Sequence, residues 1–228
     1  MSAASQSLWG NLMKWDVILF DLDGTITDPK DGITKSVAYA LNEFGFRVED
    51  PNALVHFIGP PLCESFTKYY GLDKEQAMFA LEKYRERYSS IGWKENAPYH
   101  GIAFFLQSLK ESGRKLLIAT SKAQVYAVKI LQHFGLDTYF DYICGTPLDD
   151  PNQTKADVIR FALQQANITN NARVVMVGDR LHDIVGGHEA GIEAIGVLYG
   201  YGNKQELEEY HADYIVESIT ELSKLLLT

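Results

Sequence analysis

The sequence predicts an α/β protein: a Rossmann-like parallel sheet core with a helical cap domain inserted after the first strand. From Lys115 onward, short apolar runs alternate with amphipathic helical stretches, which is how a parallel sheet wound with helices reads. Between 29 and 97 this alternation stops, and apolar residues such as Ile33, Val37, Ala40, Leu41 and Phe44 recur at spacings of three and four, a helical period. An apolar run at 15–20 precedes the insertion and joins the sheet from its other side. The core is therefore discontinuous, over 14–28 and 98–228, with the cap over 29–97.

Taken in order, residues 1–13 form an arm without secondary structure, and 15–20 form the first strand. In the cap, Gly45 stops the first helix, Asp50 followed by Pro51 starts another segment, and 79–88 forms a longer helix. Between them Ile58-Gly59-Pro60-Pro61-Leu62 is a rigid turn, because proline fixes φ and glycine relieves the bend. Tyr69, Tyr70, Tyr84 and Tyr88 are expected to fill the cap interior. Pro98 and Gly101 mark the return to the core, where 102–109 begins a helix. Strands follow at 116–119, 142–144, 174–177, 194–198 and 214–216. Helices fall at 123–133, 155–166, 184–190, 204–210 and 219–226.

Composition narrows the function. The 228 residues carry 21 Lys and Arg against 30 Asp and Glu, a formal charge of −9. With no dense basic run, polymeric nucleic acid is not the expected partner, since such binding relies on phosphate neutralisation. No apolar run approaches the roughly 20 residues that span a bilayer, and residues 1–13 lack the form of a secretory signal. Cys63 and Cys144 share no metal-ligand spacing, and a reducing cytoplasm is the expected compartment. A monomer or a homodimer fits equally well.

Chemistry concentrates at strand ends. The strand ending at Phe20 delivers Asp21 and Asp23, two carboxylates one residue apart, followed by Gly24 and Thr25. Alternate residues of a strand share a face, so both carboxylates can turn toward one site. The run Leu116 to Ala119 ends in the hydroxyls of Thr120 and Ser121, followed by Lys122. Lys155 opens a helix, with Lys122 as its rival cation. The run Val174 to Val177 delivers Gly178, Asp179 and, four residues on, Asp183. Strand ends in an open α/β sheet converge on a ligand-binding crevice. His182 and His188 read as surface residues, and Arg47 and Lys68 as cap cations not distinguished from ordinary surface charge.

In this order, the Asp-x-Asp-Gly-Thr loop, the post-strand Thr-Ser, the Lys and the Gly-Asp-x-x-x-Asp loop resemble the haloacid dehalogenase superfamily of phosphohydrolases. The spacing resembles its phosphoglycolate phosphatase and 5'-nucleotidase-like branch, which carries a helical cap between the first two motifs. The resemblance implies a phosphatase for a small phosphorylated metabolite, such as phosphoglycolate or a nucleoside 5'-monophosphate. It implies Asp21 as nucleophile, Asp23 as general acid and base, and Thr120 and Lys155 as holders of the phosphoryl oxygens. Leu22 and Ser121 would add backbone N–H groups, and the Pro61 turn would touch the leaving group. Asp179, Asp183, Asp21 and the Asp23 carbonyl would hold a cation, and an all-oxygen donor set beside a phosphate selects Mg²⁺. A sugar phosphomutase shares these motifs and remains the alternative; a non-enzymatic phospho-receiver has no use for both Asp23 and the Thr120/Lys155 pair.

Overall fold

Uncharged apolar residues go to the middle of a parallel sheet, and all four residues of β1 (Val17–Phe20) are buried. The structure is a computed structural model that describes residues 14–148 and 153–228; the arm expected over 1–13 lies outside the described residues. The described residues divide into two compact units, one running up to Ile26 and resuming at Tyr99, the other Thr27–Pro98. The divisions fall two residues before and one residue after those read from the sequence. The shift follows from an antiparallel ribbon that opens and closes the second unit, β2 (Thr27–Asp28) against β3 (Ala97–Pro98).

Within the second unit lie α1 (Lys30–Asn42), α2 (Leu62–Tyr70) and α3 (Lys74–Ser90). Helix α1 buries Ile33, Val37, Ala40 and Leu41, the face its periodicity marks. A 3-10 turn, Pro51–Phe57, starts after Asp50, whose side chain accepts from the Asn52 N–H. Helix α3 begins five residues earlier than its apolar pattern suggests, because Asp73 and Gln76 cap it reciprocally. Tyr84 and Tyr88 are buried and stacked, with centroids 5.2 Å apart. Tyr69 departs from the expected cap interior: it is 44% exposed, lying beside the His56 ring and under the Lys68 ammonium. Pro61 is exposed and immediately precedes α2.

The first unit resumes with α4 (Ile102–Glu111), β4 (Lys115–Ala123), α5 (Gln124–His133), β5 (Tyr142–Thr146) and α6 (Lys155–Gln165). It continues through β6 (Val174–Gly178), α7 (Leu181–Glu189), β7 (Glu193–Val197), α8 (Lys204–Glu209), β8 (Tyr214–Val216) and α9 (Ile219–Leu227). The sheet order is β5-β4-β1-β6-β7-β8, and all its pairings are parallel. Strand β4 outlasts its apolar run, because a register shift between Ala119 and Ala123 brings Ala123 opposite Thr146. Helix α7 starts at Leu181 rather than near 184, with the Asp183 carboxylate accepting from the Arg180 N–H at 3.1 Å.

Against one sheet face, Val158, Ile159, Ala162 and Leu163 of α6 pack on Val17, Leu19, Leu117, Ala119, Val174 and Met176. Each of the buried Val, Leu, Ile and Met side chains among them contributes about 1.5–3 kcal/mol relative to exposure. Against the other, Phe20 meets Phe105 and Phe140 edge-on. The winding reverses at β1, which is flanked by β4 and β6, so the carboxyl ends of these three strands form a switch point where ligands bind in such sheets. Among the described residues, no helix is long and apolar enough to cross a membrane. Both cysteines are free, Cys63 half-buried and Cys144 buried.

Candidate active site

The Asp21 N–H donates to the Val177 carbonyl at 2.9 Å, which carries the β1–β6 pairing one residue beyond β1 and fixes where its side chain leaves the sheet. The turn that follows needs glycine twice over. Gly24 has φ +84°, and a Cβ there would lie 2.2 Å from Asp179 Oδ2. The first loop thus passes directly against the carboxylate delivered by β6.

Lys155 joins the two loops. Its Nζ lies 2.7 Å from Asp21 Oδ1 and 2.7 Å from Asp183 Oδ1, and all three side chains are buried. Burial alone would lower the lysine's pKa, but the Asp183 and Asp21 carboxylates outweigh it and hold the ammonium well above its ordinary range. Asp183 is raised to about 6, first by burial, with Lys155 opposing and Asp21 adding to the rise. Asp179 is raised well above the ordinary carboxylate range by burial and by repulsion from Asp183 and Asp21, although the Tyr201 N–H donates to its Oδ2 at 2.7 Å. The junction between β6 and α7, which carries Asp179 and leads into Asp183, is held by Glu206, which accepts from Arg180 Nε at 2.9 Å and from the Leu181 N–H at 2.8 Å.

Asp23 takes a different partner. Its Oδ2 is ion-paired with Lys122 Nζ, while its Oδ1 is buried without a hydrogen-bond partner. Burial raises its pKa, Lys122 lowers it in part, and Asp21 adds to the rise. The two rival lysines are therefore both in the cluster, Lys155 with Asp21 and Asp183, and Lys122 with Asp23. Thr120 is buried, and its Oγ1 accepts from the Lys122 N–H at 3.2 Å. Ser121 is exposed, and its carbonyl accepts from Thr146 Oγ1 at 3.0 Å. The Leu22 side chain is fully buried, so only its backbone is open to a site role. Pro61 belongs to the other unit.

Sequence reasoning overlooked the segment after β7. There the Tyr201 N–H supports Asp179, and the part-buried Tyr199 hydroxyl donates to the Thr25 carbonyl at 3.1 Å. The available signal was Gly200-Tyr201-Gly202, a glycine-rich stretch just past a strand. His188 sits with its Nε2 2.9 Å from an Asp213 oxygen, part-exposed and outside the acidic cluster.

Carboxylate oxygens of Asp21, Asp179 and Asp183 lie within 4.8 Å of one another, and all three residues are buried. Asp179 Oδ1 is buried with no hydrogen-bond partner. An all-oxygen set with one carboxylate oxygen left unsatisfied fits a small hard cation such as Mg²⁺. The Asp23 carboxylate, turned to Lys122, is outside this group.

Fold and site together define an α/β enzyme whose carboxylates and lysines meet at the carboxyl ends of neighbouring parallel strands. A family model described as haloacid dehalogenase-like hydrolase matches residues 18–197, and the chain belongs to that family. It is 39% identical over 214 residues to a protein of Pseudomonas aeruginosa named 5'-nucleotidase, covering 94% of this chain and 96% of that one. It is 38% identical over 204 residues to the tyrosine-protein kinase PtkA of Mycobacterium tuberculosis, covering 90% of this chain and 69% of that one. A solved structure of a predicted phosphatase from Clostridium acetobutylicum superposes with a TM-score of 0.88 at 46% identity, covering 93% of this chain and 98% of that one.

Proposed function

We propose that the chain is a Mg²⁺-dependent phosphomonoester hydrolase that works through a phosphorylated Asp21. The observation that carries this reading is the bridging Lys155, which holds Asp21 and Asp183 together inside a buried cluster of three aspartates. A lysine in that place orients the attacking carboxylate and offsets negative charge on the phosphoryl oxygens. Thr120, in the neighbouring strand β4, supplies a hydroxyl for the same oxygens, and Leu22 and Ser121 add backbone N–H groups. Asp23 gives a proton to the leaving oxygen and then takes one from the attacking water. Asp21, Asp179, Asp183 and the Asp23 carbonyl would hold Mg²⁺, which when bound shields the phosphate charge from the anionic nucleophile.

Substrate choice is assigned to the helical insertion and its Pro61 turn, because the core side chains of the cluster address the phosphoryl group and the oxygen that leaves it, not the rest of the substrate. The relative named 5'-nucleotidase supports a nucleoside 5'-monophosphate, and phosphoglycolate is the other small ester to screen. Phosphoryl transfer to an acceptor other than water is the second reading, as in a sugar phosphomutase, and it is favoured by the relative named tyrosine-protein kinase.

The test is phosphate release from a panel of phosphomonoesters with Mg²⁺ or with EDTA. Steady release without added acceptor, lost in EDTA, is expected. Asp21→Asn should lower kcat/KM at least about a thousandfold, roughly 4 kcal/mol of barrier. Activity within about tenfold of wild type would remove Asp21 as nucleophile, and turnover that needs an added acceptor would favour the second reading.

A further inference from the structure

We propose that Lys122 is the positioning residue for the acid/base carboxylate: by pinning Asp23 Oδ2, it leaves Oδ1 as the single oxygen that carries the proton to the leaving group. This rests on the reading of Asp23 as the acid and base. The two oxygens of a free carboxyl group exchange by rotation, and a general acid whose proton sits on either one wastes alignment. Here they are inequivalent. Oδ2 is paired with the Lys122 ammonium, and Oδ1 is buried with no partner in the protein. Both side chains are largely enclosed, Lys122 at 8% and Asp23 at 17% exposure, so the pair is not a loose surface contact.

The backbone also contributes to the pinning. Lys122 lies in the part of β4 where the register shifts, between Ala119 and Ala123, and its N–H donates to Thr120 Oγ1. The stem of the lysine is therefore fixed by the strand end that supplies Thr120. A cation needed only to balance charge could come from Lys155, but that ammonium is already placed between Asp21 and Asp183.

The proton inventory follows. As an Asp21 oxygen bonds to phosphorus, the bond from phosphorus to the leaving oxygen breaks, and its electron pair takes the proton from Asp23 Oδ1. Asp23 is left as a carboxylate with Lys122 already at its other oxygen. In the second half, Oδ1 takes a proton from water as the water oxygen bonds to phosphorus and the Asp21–phosphorus bond breaks, releasing inorganic phosphate. The acid and base duties fall on one oxygen.

Esters of acidic phenols depart without a proton, whereas alkyl esters need one, so acid alignment is read by how kcat/KM varies with the leaving group. The experiment compares 4-nitrophenyl phosphate, phenyl phosphate and a series of alkyl phosphates with Mg²⁺ present. Lys122→Met should lose at least about tenfold more activity on alkyl esters than on the nitrophenyl ester. Lys122→Arg, which keeps the cation, should recover the wild-type dependence. The comparison is made within one preparation, so a smaller folded fraction cancels. A uniform loss across the series in Lys122→Met, or an arginine variant as steep as the methionine one, overturns the proposal. Asp23→Asn separates the two ideas. If it is steep while Lys122→Met is shallow, only the positioning role falls; if it is shallow, the acid assignment falls first.

Discussion

Gly178 ends β6, and a Cβ there would lie 2.1 Å from Asp183 Cγ and 2.2 Å from its Oδ2. Both atoms belong to a buried side chain tied to Lys155 and to the Arg180 N–H, so they cannot swing aside without breaking those bonds. Gly178→Ala should therefore act on the site more than on the fold. The expected loss is at least about a hundredfold in kcat/KM, about 2.7 kcal/mol of barrier, with about 1–3 kcal/mol of stability lost to overpacking. Steady-state kinetics beside a urea melt measures both. Wild-type kcat/KM in the alanine variant would mean that Asp183 need not stay beside Lys155.

Lys155 is the first residue of α6, so its position depends on how that helix begins. Thr154 caps it: the hydroxyl accepts from the Asp157 N–H at 3.2 Å, and the Thr154 N–H donates to the Asp157 carboxylate at 3.1 Å. Thr154→Ala should cost about 1 kcal/mol of stability. Because the freed first turn carries the lysine, kcat/KM should also fall severalfold, while Thr154→Ser, which keeps the cap, should stay near wild type in both. Paired thermal melts and kinetics check this. A loss of stability with unchanged kcat/KM would show that β4, β5 and α7, which pack against α6, hold Lys155 without the cap.

For the molecule as a whole, the site trades stability for chemistry. Asp179 has its carboxyl raised in the fold by burial and by two neighbouring carboxylates. Such a group favours the folded state fully below its unfolded pKa, and that contribution is lost as pH rises through the higher folded value. Above its unfolded pKa the metal-free chain thus carries a destabilising buried carboxyl group that a bound cation would relieve. Mg²⁺ at about a hundred times its dissociation constant should add about 2.7 kcal/mol, a rise of roughly 5–10 °C in Tm for a chain of this size. Asp179→Asn should melt higher than the metal-free wild type and lose most of the Mg²⁺ response. Scanning calorimetry with EDTA and with Mg²⁺ tests it. An asparagine variant that melts lower in EDTA would show that Asp179 is compensated by other means.

Local pattern determined much of this protein. The apolar runs before Asp21, Thr120 and Asp179 mark buried parallel strands because a strand covered on both faces cannot carry charge, and the helical period of 29–97 marks the insertion. The order of the motifs pointed to the family. Other features depend on partners far along the chain. Lys122 stands near the end of a strand and Lys155 opens a helix, and nothing local says that one meets Asp23 and the other bridges Asp21 to Asp183. The sheet order decides it, because β1 lies between β4 and β6 and brings their ends to the same place. The extension of β4 past Ala119 arises from pairing with β5, and the support of Asp179 comes from the Tyr201 N–H, 22 positions away in the chain. Periodicity records which face a residue buries; which charges then become neighbours is fixed only when non-adjacent strands pair, since electrostatic partners are chosen by distance in space.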